Sequence, residues 1–470
     1  MRQITTAAMA GLLLFSLAAD TGAATAVPEP AVSSYSFAPF GAVHVTQPGG
    51  APRGVVIFLS DSRGAPANDD AITRELARRG LLVAAVSAGA LLRTPEAWAG
   101  RCLNANYPIV ALSNDLQHRM GVRAYMQPII IGVGEGGALA YATLSQWANG
   151  SYRGVVSVDA PGEISSSKPW CTAPGFSAER VNDAGAWRFG PNKQVRLPLI
   201  VMRTATQQTA SSALVPAVPG ARAELLPSAT AQWPTVVADA AISLLAKAGP
   251  DHRPATTAVP DMPLTLVPAA KTNANHDLMA IVYSGDGGWV GIDRDVAGQL
   301  AAAGIPVVGV DSLSYFWSAR TPAGAARDLS QLIEAFSRHW GRPRVLLVGY
   351  SFGANVIPHM VDQLRAAARA KIERVSLLGL GSTADFQFHL TSWLNLSSDN
   401  SLPTIPAITR LRGMALQCVR GEQEEDSACE QIPAGLAQEY LVPGGHHFDR
   451  NAGLLAEIIL GHRHPGTVSQ

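Results

Sequence analysis

Gly349-Tyr350-Ser351-Phe352-Gly353 sets a serine between two glycines, after the apolar run Val345 to Val348 and before the small residues Ala354 and Asn355. Gly-x-Ser-x-Gly between a buried strand and a helix lifts a hydroxyl above the C-terminal edge of a sheet. The glycines let the turn close with no side chain in the way. A serine hydroxyl attacks a carbonyl carbon only when a base takes its proton. The segment Val442-Pro443-Gly444-Gly445-His446-His447-Phe448-Asp449 supplies one, on a loop after the apolar "EYLVP". His446 is the first choice and His447 the reserve. The bland alternatives are a glycine-rich corner and a solvated histidine pair.

Nucleophile, then acid, then histidine is the chain order of α/β-hydrolases. The acid is therefore expected after the strand that precedes "EYLVP", where "CVRGEQEEDSACE" offers several carboxylates. Asp426 leads, because a Cys418–Cys429 bridge would hold it. Glu424 follows closely, three residues past Gly421, and Asp385 is a third choice. Acyl transfer also needs donors for the developing oxyanion. One is the amide of Phe352, just after the serine. The other is expected in the loop "YSGDGGW" (283–289), from Gly285, Asp286 or Gly287. Asp286, Trp289 and Asp311 are the candidate substrate contacts. For the two acids, loop hydrogen bonding and helix capping are the competing roles. A phosphate cradle is a poor fit to this loop, since no Gly-Lys-Ser/Thr follows it.

These residues need a scaffold, and the sequence writes it twice. In the second half, apolar runs at 278–284, 306–312, 344–350, 374–380 and 414–420 suit strands buried on both faces of a parallel sheet. Between them, "ARDLSQLIEAFSRHW" puts Leu329, Leu332, Ile333 and Phe336 on one helical stripe. The first half repeats the order at 54–60, 81–87, 128–134, 154–160 and 198–204. Two tandem α/β-hydrolase-like domains are expected, each a doubly wound, mostly parallel sheet, the first degenerate. Superposing "IIIGVGEGGALA" on "VLLVGYSFGANV" puts Gly134 where Ser351 stands. Superposing "LLPSATAQWPTV" on "LVPGGHHFDRNA" puts Thr230 and Ala231 where the two histidines stand. The first copy has the frame without the hydroxyl or the imidazole. The expected boundaries are 27–247 and 264–470, joined by a Pro-rich polar linker at 248–263.

The 470 residues, 47% hydrophobic and 15% charged, suffice for two cores. With 36 basic against 36 acidic residues and no basic block, nucleic acid is not an expected partner. Residues 1–26 read as a cleavable signal peptide: Arg2, an apolar core from Ala7 to Ala19, and Ala24-Thr25-Ala26. Export to the periplasm follows, and with it two disulfides. Proximity pairs Cys102 with Cys171 and Cys418 with Cys429. No Cys-x-x-Cys spacing supports a metal site, and no cofactor is expected.

Together "YSGDGGW", "GVDSLSYFW", "ARDL", "VGYSFGANVIP" and "GGHHFD" resemble the AcvB/VirJ family of exported bacterial virulence-associated proteins. Five motifs in order carry the likeness over most of residues 264–460, and the first copy resembles the degenerate half of the long, AcvB-type members. The resemblance implies a periplasmic serine hydrolase of aminoacylated phosphatidylglycerol, chiefly the lysyl form, with Ser351 as nucleophile and His446 as base. Such a substrate lies at a membrane surface, and "DFQFHLTSWLNL" (385–396) has the mixed character of a lid or interfacial helix. A general periplasmic esterase and a non-catalytic docking protein for a secretion system, with a periplasmic protein partner, are the rival readings.

Overall fold

The computed structural model describes residues 29–61, 66–93, 101–147, 152–205, 215–246, 261–270, 275–388 and 401–467. The signal-peptide segment, most of the linker and residues 389–396 of the lid segment lie outside the described residues. Two eight-stranded sheets form, one from each half. The second has the order 264–267, 307–310, 278–283, 344–350, 372–378, 416–421, 438–442, 466–467. All neighbours are parallel except the first pair. The first sheet runs 31–37, 41–47, 81–87, 54–60, 129–133, 154–158, 199–203, 221–225. Its antiparallel hairpin, 31–37 against 41–47, is an addition at the edge that the sequence pattern did not announce.

Why these runs become strands is visible in how their side chains divide. Met279, Ile281 and Tyr283 enter one core cluster, while Ala280 and Val282 enter the cluster on the opposite face. Val55, Ile57 and Leu59 split from Val56 and Phe58 in the same way. A strand buried on both faces must be apolar at successive positions, and each large side chain so buried contributes about 1.5–3 kcal/mol. Helix Pro322–Trp340 covers one face of the second sheet through Leu329, Leu332, Ile333 and Phe336, all buried. Thr321 caps its start by accepting from the Gly324 amide at 3.0 Å, and Gly341 ends it in a left-handed conformation. Tandem doubly wound α/β units therefore carry the chain.

Both disulfides form as proximity suggested, Cys102–Cys171 and Cys418–Cys429. Such bridges belong to oxidising compartments. Among the described residues no helix is long and apolar enough to cross a membrane.

Candidate active site

Strand Arg344–Tyr350 ends at Ser351, and helix Phe352–Asp362 begins directly after it. Ser351 has φ 51° and ψ −113°, a conformation that a side-chain-bearing residue adopts only when its surroundings impose it. Two close approaches impose it here. A Cβ on Gly349 would lie 2.6 Å from the Ala354 amide nitrogen, and one on Gly353 would lie 2.3 Å from the Tyr283 carbonyl. The helix can start this near the strand only where both residues are glycine. Phe352, first in the helix, has an amide with no intrahelical acceptor, beside the Ser351 hydroxyl.

The hydroxyl meets a base. Ser351 Oγ lies 2.9 Å from His446 Nε2, and His446 Nδ1 lies 2.5 Å from Glu424 Oε1. A carboxylate on Nδ1 fixes the proton there, which leaves Nε2 free to accept the serine proton. Glu424 Oε2 accepts from the Gly421 amide at 3.1 Å, and the Glu424 side chain is only 8% exposed. Two strand ends make room for the histidine. A Cβ on Gly379 would sit 2.8 Å from its Cε1, and one on Gly421 would sit 2.4 Å from the Gly445 carbonyl. Gly421 marks a strand end in the sequence, whereas Gly379, which directly follows an apolar run, does not stand out.

Glu424, rather than Asp426, takes the acid's place. A tight turn brings the Glu424 amide to the Gly421 carbonyl at 3.1 Å and folds its side chain back over the strand end. Asp426 is exposed on the way into the short helix Ala428–Gln431, and the disulfide anchors that helix instead. Asp385 Oδ1 accepts from Ser401 Oγ at 2.7 Å. His447 is not at the serine. Its Nδ1 is hydrogen-bonded to Tyr350 Oη at 2.6 Å, and desolvation of the ring lowers its pKa although one edge stays exposed.

The loop after strand Leu278–Tyr283 lies against the nucleophile, since a Cβ on Gly285 would be 3.6 Å from Ser351 Cβ. Its amides are engaged by carboxyl groups. Hydrogen bonding from the Gly285 amide opposes a strong upward push that desolvation gives the buried Asp293. Asp293, at the start of helix Ile292–Ala302, is a member of the site that the sequence showed only as an acidic helix start. Asp286 is likewise raised by desolvation; His446 and the Asp286 and Gly287 amides counter that rise.

Asp311 and Trp289 go elsewhere. Asp311 caps the turn Ser312–Tyr315 by accepting from the Ser314 amide at 3.0 Å, and a Cβ on Gly288 would be 3.1 Å from its Oδ1. It fastens the glycine loop rather than facing a substrate. The Trp289 ring fills the slot over Gly309, where an added Cβ would fall 2.3 Å from it, and packs on the core. Of the lid segment, Phe386 and Phe388 are buried against the fold. Among the described residues no cluster of histidine, cysteine and acid could hold a metal ion.

The first copy keeps the turn and loses its contents. Gly134 holds φ 57° and ψ −124° at the matching elbow, and a Cβ there would land 2.3 Å from Asp61 Oδ2.

A model of the bacterial virulence protein VirJ matches residues 277–465. No curated protein sequence matches the chain. Among solved structures, the esterase domain of a Rhodothermus marinus protein aligns at 16% identity over 45% of this chain and 98% of that one, with a TM-score of 0.31. Est1E from Butyrivibrio proteoclasticus aligns at 8% identity over 46% and 99%, with a TM-score of 0.30. Likenesses this low add nothing to the geometry.

Proposed function

We propose, from the premise that the C-terminal half of this chain belongs to the family of the bacterial virulence protein VirJ, that this half is a serine ester hydrolase. Its substrate is an aminoacyl ester of phosphatidylglycerol, the lysyl form above all, met at a membrane surface in the periplasm. One observation carries the reading: a strained serine at a strand-to-helix turn lies 2.9 Å from an imidazole whose other nitrogen is held by a carboxylate at 2.5 Å.

Each step then has a residue. His446 Nε2 takes the Ser351 proton as Oγ attacks the ester carbonyl, and Glu424 stabilises the imidazolium that forms. The Phe352 amide donates to the oxyanion. His446 returns the proton to the departing glycerol oxygen of the lipid headgroup, and water repeats the sequence to free the amino acid. An ammonium group on the acyl chain would meet Asp286, a carboxyl beside His446 whose charged form desolvation disfavours until a cation arrives. Turning toward that cation would also release the Asp286 and Gly287 amides to the oxyanion.

Purified protein should release lysine from lysyl-phosphatidylglycerol vesicles. Ser351→Ala should remove that activity with an unchanged melting temperature, since the hydroxyl is not part of the core. Full activity in the Ser351→Ala protein would refute the mechanism.

A further inference from the structure

An unusual stretch of backbone follows the histidine pair. Phe448, Asp449 and Arg450 have φ of 50°, 45° and 57°, three successive left-handed residues with no glycine among them. Each carries steric strain that residues with side chains normally avoid. The turn is tied directly to the histidines. The Phe448 amide donates to the Gly445 carbonyl at 2.9 Å, and the Arg450 amide donates to the His447 carbonyl at 2.8 Å. A segment strained in this way persists only when the contacts around it outweigh the strain.

Three contacts hold it. Tyr350 Oη donates to the His446 carbonyl at 3.3 Å and meets His447 Nδ1 at 2.6 Å. Phe448 is 1% exposed and shares a core cluster with Leu454 and Leu455. The third contact comes from the first copy. Arg450 is exposed, and its guanidinium lies over the Trp147 ring, 5.1 Å from the centroid, as a cation–π pair. The same indole reaches the end of the glycine loop. Its Cζ2 is 3.5 Å from where a Cβ on Gly291 would stand, and Gly291 caps helix Ile292–Ala302.

Trp147 stands on a firm base. It closes helix Glu135–Gln146, which starts at the Gly134 elbow and is buried at every residue. The Gln146 side chain bonds the Ala105 amide at 3.2 Å and the Leu103 carbonyl at 2.8 Å. The two copies are also joined elsewhere. Trp317 Nε1 donates to the Val122 carbonyl at 2.7 Å, and its ring stacks on His118 with centroids 3.9 Å apart.

We propose that Trp147 of the first copy is a positioning residue for His446, clamping Arg450 so that the left-handed turn behind the histidine stays wound. This rests on the ester hydrolase reading of Ser351 and His446. The clamp also gives a use to an elbow helix that keeps its frame without a serine.

The test uses the full chain and p-nitrophenyl acetate. Trp147→Ala should lower kcat about tenfold with KM within about twofold, since a displaced base slows the chemistry rather than binding. Arg450→Gln, a change at an exposed side chain, should lose the same factor, and the double variant should lose no more than either. Adding Arg450→Gly to Trp147→Ala should restore kcat to within about threefold of the parent, because glycine holds φ 57° unaided. Mere packing by Trp147 would not be rescued in that way. A kcat within about twofold of the parent in Trp147→Ala or Arg450→Gln, or no recovery from Arg450→Gly, overturns the clamp. Amide hydrogen exchange over residues 445–451 separates the two readings. Faster exchange in Trp147→Ala, with no ester cleaved by the parent, supports the clamp and refutes the hydrolase alone. Turnover by the parent, with neither kcat nor exchange altered in Trp147→Ala, refutes the clamp alone.

Discussion

Replacing Glu424 by Gln tests the relay at its least expected member. At 2.5 Å, and with an effective dielectric of about 20, a carboxylate and the imidazolium attract by roughly 7 kcal/mol. The His446 side chain is 40% exposed, so water screens part of that attraction. In serine triads generally the orienting carboxylate is worth about 10⁴-fold in kcat, or roughly 5.5 kcal/mol, because its amide substitute favours the wrong tautomer. Glu424→Gln should therefore lower kcat on p-nitrophenyl acetate by about 10³- to 10⁴-fold. Gln keeps an oxygen able to accept from the Gly421 amide, so the melting temperature should stay within about 2 °C. Asp426→Asn, two residues further along the same loop but exposed, should remain within about threefold of the parent. An Asp426→Asn enzyme as damaged as Glu424→Gln, or a Glu424→Gln enzyme with a tenth of its activity left, would refute the assignment.

Restoring a serine to the first copy should not restore chemistry. Gly134→Ser forces a side chain against Asp61 Oδ2, 2.3 Å from the new Cβ, and should destabilise by about 1–3 kcal/mol in denaturant unfolding. Combining it with Asp61→Gly should recover most of that loss, and a single mutant as stable as the parent would show that the crowding is illusory. Asp69, raised to about 7 by burial and then by Asp61 and Asp70, makes stability depend on pH. A carboxyl with a folded-state pKa above its unfolded value stabilises in its protonated form, so its contribution is whole at acid pH and is lost as pH rises through 7. Thermal melts of Asp69→Asn should match the parent near about pH 4 and exceed it above about pH 7; equal gains at both would contradict the shift.

How much of this was legible in the sequence depends on whether the deciding contacts are local. The ten buried runs announced their strands, because a doubly covered strand must be apolar at consecutive positions. Strand Ala31–Phe37 did not, since it is an edge whose residues are largely exposed and carry no apolar run. Ser351 and His446 could be singled out because strand-turn-helix context and chain order are both linear properties. The ranking of Asp426 ahead of Glu424 fails, because four carboxylates share one short loop and the choice rests on a turn between Gly421 and Glu424. Trp289 looked available beside its glycines, whereas the slot it fills is opened by Gly309, twenty residues on and one strand over. Asp311 offered two roles from its type alone, and only the position of the Ser314 amide decides for capping.

Comparing the two elbows shows what separates a hydrolase frame from a hydrolase. Both turns hold nearly the same strained backbone, φ 51° at Ser351 and φ 57° at Gly134, so the strain by itself does not mark the chemistry. What differs is which partner fills the space above the turn. In the second copy Gly285 leaves that space empty and Ser351 enters it; in the first, Asp61 enters and Gly134 leaves it empty. The exchange is reciprocal across two loops far apart in sequence. Reversal would therefore need both positions to change at once, together with an imidazole where Thr230 now stands and a carboxylate behind it. A site dismantled at that many coupled points is free to drift toward another use, and a surface already packed on the loops of its sister is the use nearest to hand.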